Sequence, residues 1–210
     1  MTATGDDLQR LASLAASLRP RFAGEKPLPR LLFVTDPVRT PDPEVIAARL
    51  PPGAGVIYRA FGAVDAKARA DALKAIAVER GLVLLIGADI ALADACGADG
   101  VHLPERMTAD AVHLRAQRPD WILTAAAHSL AAAVAAHQAG CDAVLASTVF
   151  ASSSASAGPP MGAERFAAFV AAAPLPVYAL GGVNAETASQ LSGSGAQGFA
   201  MIEGLTGVRT

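Results

Sequence analysis

The sequence predicts an α/β fold, namely a (β/α)8 TIM barrel with an extra N-terminal helix and a shortened or absent last helix. Three observations point to it. Eight apolar segments of strand length recur along the 210 residues, they are continuously apolar instead of alternating, and alanine-rich helical segments separate them. Continuous apolar runs are typical of parallel strands covered by helices, and eight such units in a chain of this length fit a small closed barrel. A doubly wound open sheet is the alternative. The near-even spacing of the eight units favours the closed barrel over it.

The predicted strands start 18 to 33 residues apart, which leaves room in each interval for a helix and two short loops. These strands cover residues 31–35, 55–59, 82–86, 100–103, 122–126, 143–150, 176–180 and 198–202. The helices predicted between them include residues 66–79, 109–117, 130–138, 163–172 and 185–191.

Three joints between a helix and the next strand share a pattern. Residues 97–101 read GADGV, residues 140–144 read GCDAV and residues 195–199 read GAQGF. A glycine in first place suits the left-handed end of a helix, and the small residues let the chain turn tightly into the strand. Such joints lie at the bottom of a barrel, so we expect them to serve stability and not chemistry.

The two ends of the chain predict the departures from a regular barrel. Residues 6–18 place Leu8, Leu11, Leu14 and Leu18 on one face of a helix, whereas only residues 203–210 remain after the eighth strand. We therefore divide the chain into an N-terminal helical extension, 1–30, and a barrel, 31–210. The extension is expected to cover the bottom of the barrel or to fill the place of a missing eighth helix.

Charge and composition exclude several classes of function. The 17 Lys and Arg residues against 19 Asp and Glu give a formal charge of −2 without a basic patch, so no nucleic-acid partner is expected. No apolar stretch is long enough to span a bilayer and the N-terminus lacks a signal-peptide core, which predicts a cytoplasmic protein without a membrane partner. Cys96 and Cys141 lie in apolar surroundings and are expected to be buried free thiols.

The active site of such a barrel lies at the C-terminal ends of its strands. The candidate residues at these positions are Thr35, Asp36, Arg59, 87–89, His102, Glu105, His128, Ser129, 152–156, Gly181, Gly182, Glu203 and Gly204.

Glycines after the seventh and eighth strands predict a phosphate site. Gly181, Gly182 and Gly204 would let backbone N–H groups approach an anion where barrels of this type usually bind phosphate. A simple tight turn is the alternative. Glu203 is counted with the ligand-binding residues, although its carboxylate would repel a phosphate unless it points away or is paired.

Arg59 and His128 are the predicted ligand-binding and catalytic side chains. Arg59 would clamp a phosphate or carboxylate, or else form a salt bridge at the rim with Asp36 or Asp65. His128 would act as a general acid or base, or else be a structural histidine.

Four other polar residues complete the prediction. Ser129 is a natural N-cap for the next helix, and Thr35 is taken as a ligand-binding residue at the end of the first strand. Ser152 and Ser154 belong to a serine-rich loop that offers hydroxyl donors to an anion or is an ordinary surface loop. His102, by contrast, is interpreted as a packing residue of the fourth strand.

Five stretches of the chain carry a family resemblance: 32–36 (LFVTD), 97–103 (GADGVHL), 128–130 (HSL), 149–150 (VF) with the serine loop and PPMG at 159–162, and 179–183 (ALGGV). In order and spacing they resemble the thiamine phosphate synthase and TenI family from about residue 31 to residue 205. The resemblance implies a (β/α)8 barrel. It also implies one of two activities. Synthases join a hydroxymethylpyrimidine pyrophosphate to a thiazole phosphate with the help of magnesium, whereas TenI enzymes tautomerise the thiazole phosphate.

Departures from the synthase pattern decide which activity we expect. The pattern Gln-x-Arg-x-Lys of the second strand keeps only Arg59, and a lysine of the sixth-strand loop is replaced by Ala155. The acidic positions after the third and fourth strands hold Ala88 and Met107, so Asp89 or Glu105 would replace them only with a shifted loop.

The expected function is therefore TenI-like, and residues 103–104 (LP) resemble that branch. His128 matches a histidine found in that branch and also in synthases. No cofactor is expected. A synthase that uses magnesium is the first alternative, and a non-catalytic regulatory protein that binds the same ligand is the second. The expected partner is a small heteroaromatic phosphate, and the sequence leaves a homodimer open.

Overall fold

A computed structural model of the chain describes residues 5–22, 26–152, 154 and 158–205. Eight parallel strands form a closed barrel in sequence order. They are β1 Leu31–Val34, β2 Gly55–Tyr58, β3 Val83–Gly87, β4 Gly100–Leu103, β5 Ile122–Ala127, β6 Ala143–Ala146, β7 Val177–Ala179 and β8 Gly198–Met201. Leu31 of β1 lies opposite Phe199 of β8, which closes the ring and excludes the open sheet. The predicted TIM barrel is thus confirmed.

Helices surround this barrel. They are α1 Gly5–Ser17, α2 Pro43–Ala47, α3 Ala66–Arg80, α4 Ile90–Cys96, α5 Ala111–Gln117, α6 Leu130–Gln138 and α7 Gly162–Ala172. Short 3₁₀ helices cover Glu105–Asp110, Thr187–Leu191 and Glu203–Leu205. The α-helix predicted over 185–191 is therefore wrong in type, because its threonine and serine are weak helix formers and Gly193 follows closely.

The core has two layers. Nine side chains fill the barrel interior: Leu32, Val34, Ile57, Leu85, Ile122, Ala143, Leu145, Tyr178 and Ala200. A second cluster packs between the strands and the helices and includes Phe33, Leu84 and Phe166. Tyr178 is the largest side chain of the interior group and donates its hydroxyl to the carbonyl of Pro29 at 2.6 Å. Burial raises the pKa of that hydroxyl well above its usual range.

The joints at the bottom of the barrel are structural, as predicted. Gly97 ends α4 in the left-handed conformation, with φ of 64°. Two residues later the Asp99 carboxylate accepts the backbone N–H of Leu84 at 2.7 Å and the ammonium of Lys74 at 2.8 Å. This carboxylate therefore ties its joint to the start of the neighbouring strand β3.

Helix α1 lies against β1 and the 3₁₀ helix Thr187–Leu191. Leu11 is fully buried there, and Arg30 donates to the carbonyl of Leu18 at 3.1 Å. An eighth barrel helix would pack in this position, between the segment after β7 and β1, so α1 fills its place. After β8 the described chain ends with Glu203–Leu205, and residues 206–210 lie outside the described part.

Two further expectations concern the thiols and membranes. Cys96 and Cys141 are buried and free, as predicted, and burial raises the pKa of Cys141 to about 12. Within the described ranges no helix combines the length and the apolar character needed to cross a membrane.

Candidate functional site

All eight strands run parallel, so their C-terminal ends meet at one rim, the mouth of the barrel. The candidate residues that the structure describes lie at this mouth, and the contacts of most of them define three groups. The first is an arginine–carboxylate network that joins β1, β2 and β8. The second is a histidine–carboxylate pair between β4 and β5, and the third consists of the glycine loops after β6, β7 and β8.

Arg59 is fixed by the end of β1. Its Nε donates to the carbonyl of Thr35 at 2.7 Å, and its backbone N–H donates to the Thr35 hydroxyl at 2.9 Å. Its Nη2 reaches Asp36 at 3.3 Å, whereas Asp65 pairs with Arg69. Thr35 is buried and positions Arg59, while the guanidinium also packs over the ring of Phe61 at 5.2 Å from the ring centre.

Asp36 is the centre of the arginine–carboxylate network. It accepts Nη2 of Arg39 at 2.9 Å and the backbone N–H groups of Val38 and Arg39 at 3.1 and 3.0 Å. Burial alone would raise the pKa of this carboxyl group, but these hydrogen bonds lower it to about 2. Asp36 is therefore ionised at neutral pH and holds both arginines over the mouth.

The network continues to Glu203. Nη1 of Arg39 lies 3.8 Å from Oε2 of Glu203, so the carboxylate that stands beside the predicted phosphate site is paired. Arg39 is not among the residues predicted from the sequence. The available signal was Asp36 itself. An aspartate at the end of a strand can accept the backbone N–H groups two and three residues later, and the resulting turn folds the following residues back over the strand end. Thr40 completes this turn, because its hydroxyl oxygen accepts a hydrogen bond from the backbone N–H of Asp36 at 2.7 Å.

The second group is the pair His128–Glu105. One carboxylate oxygen of Glu105 accepts from the His128 backbone N–H at 2.9 Å and lies 2.7 Å from Nδ1 of the same residue. A carboxylate only accepts hydrogen bonds, so Nδ1 carries a proton, and in the neutral imidazole the lone pair is then on Nε2. The backbone N–H of His128 contributes most to lowering the pKa of Glu105. Ser129 caps α6, as predicted, by accepting the N–H of Ala132 at 3.1 Å.

His102 lies deeper in the mouth. Its Nδ1 is 3.0 Å from the hydroxyl of Thr124 on the neighbouring strand. Burial lowers the pKa of His102 to about 4, with a smaller contribution from the positive charge of Arg59. His102 is therefore a neutral imidazole that faces the barrel axis, which agrees with a packing role and adds a polar group beneath the mouth.

The glycine loops approach one another closely. Gly181 and Gly182 have φ of 92° and 64°, and a side chain on Gly182 would lie 2.3 Å from the carbonyl oxygen of Ala151. A side chain on Gly204 would lie 2.6 Å from the carbonyl oxygen of Val183. The loops after β6, β7 and β8 therefore approach one another through backbone atoms, and neither Gly182 nor Gly204 has room for a side chain.

Two neighbours define the edges of the glycine loops. Asn184 caps the 3₁₀ helix by accepting the N–H groups of Glu186 and Thr187 at 2.9 and 3.0 Å. In the serine-rich loop, the hydroxyl of Ser152 accepts the N–H of Ser154 at 3.3 Å. Residues 153 and 155–157 of that loop, and with them Ala155, lie outside the described residues.

The residues present do not fit a magnesium ion of the synthase type. Asp89 caps α4 by accepting the N–H of Leu92 at 2.9 Å, and Glu105 binds His128. Met107 and Ala88 offer no oxygen ligand from their side chains. Among the described residues there is no group of three or more His, Cys, Asp or Glu side chains that could hold a metal.

The fold and site define the class of protein: a (β/α)8 barrel with a polar mouth at the C-terminal ends of its strands. The chain belongs to the thiamine monophosphate synthase family, whose model matches residues 31–205. It is 33% identical to the thiamine-phosphate synthase of Methanoculleus marisnigri over 68% of each chain. With the enzyme of the same name from Methanoregula boonei the identity is 33%, over 64% of this chain and 63% of that protein.

A solved structure supports the same assignment. The thiamine phosphate pyrophosphorylase from Pyrococcus furiosus superposes with a TM-score of 0.72 and 25% identity, over 84% of this chain and 86% of that one. The alignments with the two curated relatives span about two thirds of the length of each relative.

Proposed function

We propose that this protein binds a thiazole phosphate or a related heteroaromatic phosphate at the mouth and isomerises it by proton transfer, as a TenI-like member of its family. Backbone groups of Gly181, Gly182 and Gly204 hold the phosphate, Arg59 orients the ligand, and His128 moves the proton. Ser152 and Ser154 border the same loops and contribute hydroxyl groups. The proposal places the protein in the cytoplasm and requires neither nucleic acid nor a membrane.

The pair His128–Glu105 is the observation that carries this proposal. An imidazole whose Nδ1–H is held by a carboxylate presents Nε2 in one orientation, the arrangement of a general base with its orienting partner. In a tautomerisation, Nε2 accepts the proton released from one ring atom and returns a proton to another. The net reaction moves one hydrogen and needs neither an oxidant nor a metal.

The charges at the mouth support isomerisation more than pyrophosphate release. Arg39 and Arg59 are matched by Asp36 and Glu203, so the network is neutral as a unit. A departing pyrophosphate needs strong neutralisation, which metal ions usually supply at a gain of several kcal/mol. Proton transfer on a ring develops far less charge.

Thiamine-phosphate synthase activity is the second candidate. The names of the relatives in Methanoculleus and Methanoregula favour it. It would require the hydroxymethylpyrimidine pyrophosphate as a second substrate and a magnesium ion held by residues other than those described above.

One experiment separates the candidates. The protein is incubated with thiazole phosphate in D₂O, and exchange of ring-bound hydrogen is followed by proton NMR. We expect exchange with wild-type protein and a loss of at least about 100-fold in His128→Ala, the usual range for a general acid or base. His113→Ala, on the exposed face of α5, is the matched control.

A parallel incubation adds the pyrimidine pyrophosphate and magnesium. Thiamine phosphate above background would establish the synthase and overturn the proposal. Binding of thiazole phosphate without exchange and without product would instead indicate a non-catalytic binding protein.

A further inference from the structure

We propose that Arg39 is a phosphate-binding residue of the mouth and that Glu203 competes with the ligand's phosphate for Nη1 of this arginine. The inference rests on the proposed function, because it assumes a phosphate held beside Gly204. It adds a cation that the sequence pattern does not indicate, and it assigns a role to a carboxylate that would otherwise oppose binding.

The charges at the mouth require such an exchange. Two guanidinium groups and two carboxylates meet in the network, and each side chain is about one quarter exposed or less. A phosphate that enters this network brings additional negative charge. It gains a full ionic partner only when one carboxylate leaves an arginine.

The distances indicate which carboxylate leaves. Asp36 accepts Arg39 at 2.9 Å and Arg59 at 3.3 Å, and it is held further by two backbone N–H groups. Glu203 lies 3.8 Å from Arg39, beyond the range of a direct hydrogen bond. The contact between Arg39 and Glu203 is therefore the weakest link of the network and the first to be replaced.

The shape of the guanidinium makes the exchange local. Asp36 binds Nη2 of Arg39, whereas Glu203 lies against Nη1. A phosphate can take Nη1 while Nη2 stays on Asp36, so the arginine need not change its position. Lysine has no second nitrogen with which to do this. Glu203 precedes Gly204 directly, so the exchange occurs next to the proposed phosphate site.

The test is calorimetric titration of three variants with thiazole phosphate. Removing the charged hydrogen bond in Arg39→Gln should weaken binding by about tenfold or more. Glu203→Gln should tighten binding several-fold, because the competitor is removed. In the double variant the gain from Glu203→Gln should shrink strongly, since competition acts through Arg39.

The controls separate this effect from changes in folding or net charge. Arg10→Gln and Glu79→Gln make the same charge changes on exposed faces of α1 and α3 and should leave affinity unchanged. The unphosphorylated thiazole alcohol should bind all variants alike. If the substitutions merely loosened the loop, both single variants would bind the ligand more weakly. Weaker binding in Arg39→Gln together with tighter binding in Glu203→Gln would exclude that explanation.

Each other outcome overturns a defined statement. If wild-type protein binds thiazole phosphate but Arg39→Gln binds it equally, or Glu203→Gln fails to tighten it, the role of Arg39 and Glu203 is wrong and the proposed function stands. If the two effects simply add, Glu203 repels the ligand without competing for Arg39. If wild-type protein binds no thiazole phosphate, the proposed function falls, and this inference with it.

Discussion

Neighbouring residues of the protein itself hold both Arg59 and His128 in place. Arg59 is fixed by the carbonyl and hydroxyl oxygens of Thr35, and His128 is fixed by Glu105. Side chains that are already held in one conformation lose less conformational entropy when a ligand binds. Under the proposed function, Thr35 and Glu105 would therefore act as positioning residues that affect ligand affinity and the rate of proton transfer.

Replacing Glu105 tests this positioning role. In Glu105→Ala the imidazole of His128 loses the acceptor that keeps the proton on Nδ1, so Nε2 is no longer reliably the basic nitrogen. We expect ¹⁵N NMR to show Nδ1–H in wild-type protein and mainly Nε2–H in the variant, with a lower turnover rate but little change in ligand affinity. Glu105→Gln keeps the size and removes the charge. An unchanged tautomer in both variants would contradict the assignment.

Asp36 should give the mouth a pH-dependent contribution to stability. Its pKa of about 2 lies below the usual 3.8, so its ionic contacts stabilise the fold fully above pH 3.8 and are lost as the pH falls through 2. The difference corresponds to about 2 kcal/mol. Asp36→Asn should lower the free energy of unfolding by about this amount at pH 7, and the gap should close near pH 2. Denaturant titrations measure it, and a gap independent of pH would refute it.

For single residues, the sequence predicts which side chains lie at the mouth but not which side chains they contact. Arg59 and His128 follow recognisable strand ends, so a barrel prediction is enough to place them at the mouth. Glu105 and His128 follow different strands, β4 and β5, and Arg39 and Glu203 come from opposite ends of the chain. Their contacts depend on how the loops fold over the rim, which local sequence patterns do not specify.

Among the elements, the joints at the bottom of the barrel show how one local pattern is used repeatedly. Asp142 accepts the N–H of Leu123 at 2.7 Å and Nη2 of Arg115 at 2.6 Å, just as Asp99 serves Leu84 and Lys74. In the third joint the side chain amide of Gln197 instead donates to a carbonyl. The repeated glycine turns the chain, and the residue two positions later ties it to its surroundings.

Asp142→Ala should therefore be markedly destabilising. It removes the acceptor for a buried strand N–H and for a charged partner, at a cost of about 3 kcal/mol or more in the free energy of unfolding. Asp71→Ala, on an exposed face of α3, is the matched control and should change stability by less than about 0.5 kcal/mol. Equal effects in thermal unfolding would contradict a special role for the joint.

The elements themselves are largely predictable because burial dictates their pattern. Every observed strand begins within one residue of its predicted start. The sixth strand is the exception in length, since it was predicted to reach residue 150 and ends at Ala146. Val149 remains fully buried in the loop that follows, where its N–H donates to the carbonyl of Leu180. An apolar run indicates that its residues are buried but not that they are in a strand. Here the chain stays buried after the strand has ended, so the predicted strand is too long.

At the scale of the whole molecule, the barrel is completed by a helix from the opposite end of the chain. Beyond β8 the described residues provide one turn of 3₁₀ helix, and α1 covers the place where an eighth helix would pack. Arg21 reinforces this arrangement, because its Nη1 donates to the carbonyl of Ala173 at 2.9 Å and its N–H donates to Gly195 at 3.0 Å. Closing the barrel should therefore depend on residues outside the stretch that defines the family.

Two changes test this dependence. Deleting residues 1–20 exposes the apolar surface beneath α1, so we expect the truncated protein to aggregate or to lose cooperative unfolding in calorimetry. Leu11→Ala is the milder variant: its side chain is fully buried, and truncation should cost about 2–5 kcal/mol. Leu130→Ala, whose side chain is 40% exposed on α6, is the control and should have a small effect. A truncated protein that remains monodisperse and unfolds cooperatively, with Leu11→Ala near wild type, would show that 31–205 closes without α1. The division at residue 30 would then mark a dispensable extension instead of a missing piece of the barrel.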